Sequence, residues 1–271
     1  GSVLFSQPIG GTAPLSQLSV TATSFTLPGV VTTGSQTYTG ITTLTGDLTS
    51  TGPGAIAFSG VSQLDADVTI TTGGNAGDNV SFASTLNAKN PSRSLTIDAG
   101  SGNVTLGSDV GFGTGTTDRQ LSSLTVTGGN IAMQGVQTSG LQFFDGSSTV
   151  RGNLTSTGSG SISFNGALIL GTNLTLTTAS GGIFIDATIN SDTTTRSLNL
   201  SSGGNSEKRL GGSVGATAQL STITINSDGT TTLHGMWTAG LEWYAPWNSL
   251  DGRKPEPATT RTMKTLVEGL F

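Results

Sequence analysis

The feature that most constrains this chain is that it repeats itself. A first long copy begins at Leu15 (LSQLSV), a second at Leu121 (LSSLTV) and a third at Leu220 (LSTITI), so the starts lie 106 and 99 residues apart. GDLTSTGPGAIAFSG (46–60) matches GNLTSTGSGSISFNG (152–166) almost residue for residue. VTTGSQTYTG (31–40) matches VQTSGLQFFDG (136–146), with Gln36 on Gln142 and Tyr38 on Phe144. VSFASTLNAKNPSRSLTI (80–97) matches IFIDATINSDTTTRSLNL (183–200) after a three-residue deletion, which sets Arg93 on Arg196. FSQPIGGTAPL (5–15) resembles LGGSVGATAQL (210–220), so the chain is read as starting inside a repeat. A chain with self-similarity of this kind folds as an array, each unit burying its apolar side against its neighbours.

Within each copy, short runs such as SLTVT, GNLTST and GSISFNG alternate apolar residues with Thr, Ser or Asn. A period of two marks a half-buried strand. Gly, Asn and Asp fill the breaks, where positive φ is often required. Composition agrees. Thr (47), Gly (41) and Ser (34) make up about 45% of 271 residues, and charged residues are only 10%. Disordered chains are usually rich in charge, and helical folds need long Ala, Leu, Glu and Lys runs; this chain has neither.

Evenly spaced strands suit a sandwich, a barrel or a solenoid. The chain has no linkers between copies, and aromatics at 6% are too few for several sandwich cores. The expectation is therefore an all-β, single-stranded right-handed parallel β-helix over residues 1–244, with a non-repeat appendage over 245–271. Rungs of roughly 20 residues would give about 12 in all and a rod roughly 55–60 Å long. Leu48, Ile56, Phe58, Val68 and Ile70 should face inward, as should Leu154, Ile162, Phe164, Leu174 and Leu176.

The pattern FxxxVGxTxxLSxLTV, followed by xTTGxQxY and GxxTLTxxLT strands, is carried by Phe5, residues 9–12, Pro14, Leu15, residues 32–34, 36–38 and their later counterparts. It resembles the giant β-strand-repeat surface proteins of bacteria, which are akin to filamentous-haemagglutinin-like adhesins. The resemblance implies an exported parallel β-helix at the bacterial cell surface or outside the cell, used as a stalk, fibre or adhesive rod.

Several chemistries are excluded or read as scaffold. Without Cys, there is no disulfide, thiolate metal site or Cys nucleophile. A net charge of −5 with no basic cluster argues against nucleic acid. No apolar run is long enough for a membrane-spanning helix. His234 occupies a slot that holds Gln134 and Pro28 in the other copies, which marks a surface position. Residues 211–215 match GxSxG, but that elbow needs a following helix, and Ser213 aligns with Pro8. Asp65 and Asp67 share one strand face and are the best carboxylate pair for a cation or acid–base work. Their counterparts are Gly171 and Asn173, so the pair is read as lying outside the common scaffold. Asp98 and Asp186 likewise lack acidic counterparts. Arg93 and Arg196 are read as corner residues bonding turn carbonyls. The sequons at Asn79, Asn103, Asn153, Asn173 and Asn199 follow from composition.

The C-terminal segment differs. Trp237, Trp243 and Trp247 fall within 11 positions, beside Tyr244. Beyond them Met263, Leu266, Val267 and Leu270, followed by Phe271, are spaced for one helix face. The segment is read either as a cap on the last rung or as a joint to a neighbouring copy or an adjoining repeat. The leading expectation is a structural protein with no cofactor and no catalytic or metal site, whose partner is itself, head to tail. A glycan-binding module acting through the aromatic patch on host or matrix glycans is the second class, and a β-helix polysaccharide lyase or hydrolase the third.

Overall fold

The structure is a computed structural model that describes residues 1–89, 93–112, 120–227, 229–233 and 241–244, with Ser227 and the last four as backbone only. Every regular element among these residues is a strand, and every pairing between strands is parallel. The strands stack as a β-solenoid of about ten turns. At the usual strand spacing ten turns span about 48 Å. Rungs are longer and less even than the sequence suggests. Phe25 pairs with Thr42, 17 residues on, whereas Ser94 pairs with Ser123, 29 on.

Each turn has three sides. The chain visits them in fixed order: residues 18–20 on a first face, 25–27 on a second and 30–32 on a third. The rung above follows with 36–38, 42–44 and 48–50. Inward positions stack on inward positions. On the third face one ladder runs Val30, Leu48, Ile70, Ile97, Val126, Phe144, Phe164, Ile185 and Leu210, all buried. On the first face Tyr38, Phe58 and Phe82 lie ring on ring at 5.0 and 4.4 Å. The ten residues expected to face inward are all buried. Parallel strands covered only on their inner face keep the apolar-in, polar-out alternation that made them legible.

The long repeat does not coincide with a whole number of turns. From residues 18–20 the chain crosses 25–27, 30–32, 36–38, 42–44, 48–50, 56–58, 62–64, 68–70, 80–82, 86–88, 95–97, 104–106 and Val110 before reaching the equivalent 124–126. That is fourteen sides, or four turns and two sides. The second copy again takes fourteen, ending with Lys208–Leu210, Val214 and Thr222–Ser227. Each copy is therefore turned by one face against the last. Gln36–Leu44 starts on the first face, and its counterpart Gln142–Val150 starts on the third.

Equivalent corners are nonetheless built alike. Gly40 and Gly146 carry φ of 127° and 152° where one long strand turns from side to side. A Cβ at either would strike a carbonyl of the rung below, that of Ala22 or Gly128. Gly10, Gly111 and Gly215 have φ of 74°, 78° and 73°, so this turn recurs three times.

Residues 36 and 38 and their counterparts show one of the interior differences between the copies. Gln36 is fully buried; its Nε2 donates to Thr32 Oγ1 (3.1 Å) and the Thr49 carbonyl (2.9 Å), and its Oε1 accepts from the Tyr38 hydroxyl (2.8 Å). Gln142 repeats both donations, to Thr138 Oγ1 and the Thr155 carbonyl. Its Oε1 has no partner, because Phe144 stands where copy one has Tyr38. Tyr38→Phe should therefore cost about 1 kcal/mol and Phe144→Tyr should stabilise by a similar amount, read as opposite shifts of the urea midpoint at constant slope. Phe164 is 1% exposed, and Phe164→Ala should cost about 3–5 kcal/mol; an unchanged midpoint would refute its place in the core.

Candidate functional site

Among the described residues, most of the polar side chains singled out by sequence fall on the rod's corners, where the structure gives them scaffold work. An Asp or Asn stands just before a strand, and its side-chain oxygen accepts a main-chain N–H at the start of the strand stacked on it in the next rung. Asp47 Oδ1 accepts from Thr69 N and Asn153 Oδ1 from Thr175 N, at 2.8 and 2.9 Å. Asp67 Oδ1 accepts from Ser94 N and Asn173 Oδ1 from Ser197 N, at 2.9 and 3.0 Å. Asp67 therefore belongs to the common scaffold, contrary to the expectation from sequence. The bond uses a carbonyl-type oxygen, which carboxylate and carboxamide share, so Asp and Asn exchange freely between copies. The Ser94 amide, with its hydroxyl, holds the Asp67 carboxyl below the usual carboxylate range. Asp65 does not join it in a site; it pairs with Lys89 across one rung at 2.8 Å. Four of the sequon residues are spent similarly, Asn79 on Asn103 N and Asn103 on the Asn130 amide.

Both arginines stand just before a strand, and their main-chain carbonyls are used alike: Arg93 O accepts from Ser122 N and Arg196 O from Ser221 N, both at 2.8 Å. The Arg196 guanidinium instead grips Asp192 through two bonds of 3.0 Å, which lowers the Asp192 carboxyl. The counterpart of Asp192 in copy one is Lys89, so Arg93 has no equivalent acid. Asp98 accepts from Gly100 N, closing a turn. The GxSxG run leads through Gly215 into the strand Thr222–Ser227, not into a helix.

Three groups escaped the sequence reading. Asp78 is buried in the loop before Val80–Phe82; Oδ1 accepts from Gly54 N, and Oδ2 from Asn75 N and Nδ2, at 2.8–3.0 Å. The Asn75 amide is the chief cause of its lowered pKa. Lys208 is fully buried on the third face and its ammonium donates to Ser202 Oγ. Copy one has Val104 and Ala99 at these two positions, both buried, so the pair changed together from apolar to polar. Finally, Arg209 binds Asp186 with both nitrogens, at 2.7 and 2.9 Å, and lies 5.1 Å from the centre of the Phe184 ring.

Of the residues read as an aromatic joint, Trp243 and Tyr244 lie in the strand Leu241–Tyr244. Trp243 is in register with Ile225, as Phe144 is with Val126 and Tyr38 with Val20. Trp237, Trp247, Met263, Leu266, Val267, Leu270 and Phe271 lie outside the described residues, as does His234. Among the described residues no group of three His, Cys, Asp or Glu is placed to hold a metal, and no helix is long and apolar enough to cross a membrane. Comparison with models of known families, with curated proteins and with solved structures finds no match.

The two buried or bonded aspartates make contrasting predictions. Asp67→Asn should lower the urea midpoint at pH 7 only slightly, because the amide oxygen still accepts the Ser94 N–H while the gain from the charged form is lost. Asp78→Asn should lower it, because both Asp78 oxygens accept and an amide nitrogen would face a donor. Both carboxyls have folded-state pKa values below the unfolded value, so their stabilisation is present above about pH 4 and lost as pH falls through the lowered value. Asp78→Asn should therefore flatten the acid side of the stability profile, measured by urea titration between pH 7 and pH 2.

Proposed function

We propose that this chain is an extracellular structural repeat protein of the bacterial surface, serving as a stalk, fibre or adhesive rod. The observation that carries this reading is the continuity of the ladder. The inward ladders run unbroken through both complete copies, and the recurring corner Asp and Asn residues serve the main chain. The sequence resemblance to β-strand-repeat surface proteins supports the same reading. All strands point one way round, so the two ends of the rod are unlike. Contacts between copies along the axis are then heterologous and do not close, which yields filaments. In this reading residues 237–271 form the joint.

Negative-stain images at high concentration test it. Rods joined end to end are expected, with association reduced by deletion of residues 251–271 while the β-type circular dichroism persists. Strict monomers by sedimentation, with and without the tail, would remove the joint. The proposal also holds that the chain is not a polysaccharide lyase or hydrolase. Asp65 and Asp67 are engaged by Lys89 and the Ser94 amide, so a double Asp→Asn variant should not alter any release of sugar from common polysaccharides. Release of unsaturated oligosaccharides abolished by that variant would overturn it.

A further inference from the structure

At one outward corner an exchange between the two complete copies creates a reactive pair. Asn165 and Gly166 lie in the bend between the strands Ile162–Phe164 and Leu168–Leu170. Copy one has Ser59 and Gly60 there. The glycine is obligatory in both copies. A Cβ at Gly166 would stand 2.3 Å from the Gly146 carbonyl oxygen, and one at Gly60 would stand 2.2 Å from that of Gly40. The residue before the glycine is exposed in both copies, and copy two has an asparagine in that slot. Asn165 is the one asparagine, among fourteen in the chain, that a glycine follows.

Asn165 also differs from other corner asparagines in what holds it. Asn79, Asn153, Asn173 and Asn190 each spend a side-chain oxygen on a main-chain N–H of the next rung. Among the described residues the Asn165 side chain is held only through its nitrogen, which donates to Asp145 Oδ1 at 3.2 Å. The main chain is tied on either side. Asn165 N donates to the Phe144 carbonyl, and the Ala167 carbonyl accepts from Ser148 N. Between these ties neither the Asn165 carbonyl nor the Gly166 N–H has a hydrogen-bond partner among the described residues. This peptide unit can therefore turn without breaking a bond of the ladder.

We infer that Asn165–Gly166 is a site of spontaneous deamidation. The Gly166 nitrogen, having lost its proton, attacks Asn165 Cγ. A bond from that nitrogen to Cγ forms and the bond from Cγ to Nδ2 breaks. The side-chain NH2 takes up the proton and leaves as ammonia. Water then opens the five-membered imide, its hydroxyl going to one carbonyl carbon and its hydrogen returning to the Gly166 nitrogen. Opening at Cγ gives aspartate. Opening at the main-chain carbonyl gives isoaspartate, whose chain runs through Cβ and is one atom longer. Either product sets a third carboxylate in one outward column, with Asp145 on the rung below and Asp186 on the rung above, at about 4.8 Å per rung. The Asp145 oxygen that accepted from the amide then faces an anion, and like charges so close repel. The isoaspartate product also lengthens the main chain beside the close contact of Gly166 with Gly146. Conversion therefore loosens this corner. The chemistry needs only water and does not depend on the reading of the chain as a surface rod.

The test incubates the intact folded chain at pH 6 and at pH 8. Beside it run Asn165→Ser, which restores the copy-one residue, and a synthetic peptide of residues 160–171 as the unhindered reference. Peptide mapping by mass spectrometry follows the replacement of NH2 by OH at each asparagine, and fragmentation separates isoaspartate from aspartate. Asn165 should convert ahead of every other asparagine, faster at pH 8, and give both acids. Its rate should lie within about tenfold of that of the peptide, because a single unbonded peptide unit is all that must turn. The melting temperature should fall with the fraction converted in the parent chain and stay constant in Asn165→Ser. The proposal is overturned if folding slows conversion of Asn165 by more than about tenfold, if another asparagine converts first, or if converted and fresh chains melt alike.

Discussion

Everything in this molecule rests on the parallel ladder that sets each rung in register on the one below. A strand of three residues forms too few bonds to persist alone. Stacked in register, its amides and carbonyls pair above and below, and its inward side chain meets one of the same kind. That is why the core is ordered as columns of Leu, Ile, Val and Phe, and why the rod needs little apolar residue per unit length. It also explains the composition. A three-sided turn has three corners, each needing small or turn-forming residues, and Gly, Ser, Thr and Asn supply them.

The corner chemistry is the second level of the same constraint. An amide at the start of a side lies beyond the reach of the strand ladder, and an Asp or Asn just before the strand one rung below accepts that proton. The role requires one oxygen and a short stem. Asp47 and Asn153, or Asp67 and Asn173, thus serve alike. Of the two acids that look like a catalytic pair in one copy, Asp67 is the ordinary acceptor of a corner and Asp65 pairs with Lys89. Asp78 is the exception, since it uses both oxygens inside a loop three residues longer than its counterpart in copy two.

Fourteen sides per repeat on a three-sided rod has a mechanical consequence. A feature that recurs once per copy cannot return to the same face in the next copy. Gln36, Gln142 and the strand Leu241–Tyr244 begin equivalent segments on the first, third and second faces in turn. The rod therefore presents successive copies in three directions. A flat stripe of like residues, which would invite side-by-side packing of rods, is broken every few rungs.

Much of this was legible in the sequence because a period of two reports inward and outward directly. Leu154, Phe164 and Ile56 announced their burial by alternation alone, and the copy-to-copy matches showed which glycines mark equivalent corners. Repeat length, by contrast, counts sides without saying how many close a turn. Closure is set by the bend at corners such as Gly40 and Gly146, a tertiary property, so the one-face rotation of each copy appears only in the folded chain. Spatial pairing was hidden for the same reason. Asp67 and Ser94, or Asp186 and Arg209, lie 27 and 23 positions apart in the chain and become neighbours only when the rungs stack. Sequence determined the strand, its buried side and the recurrence; the stacked structure alone decided which outward residues share a face.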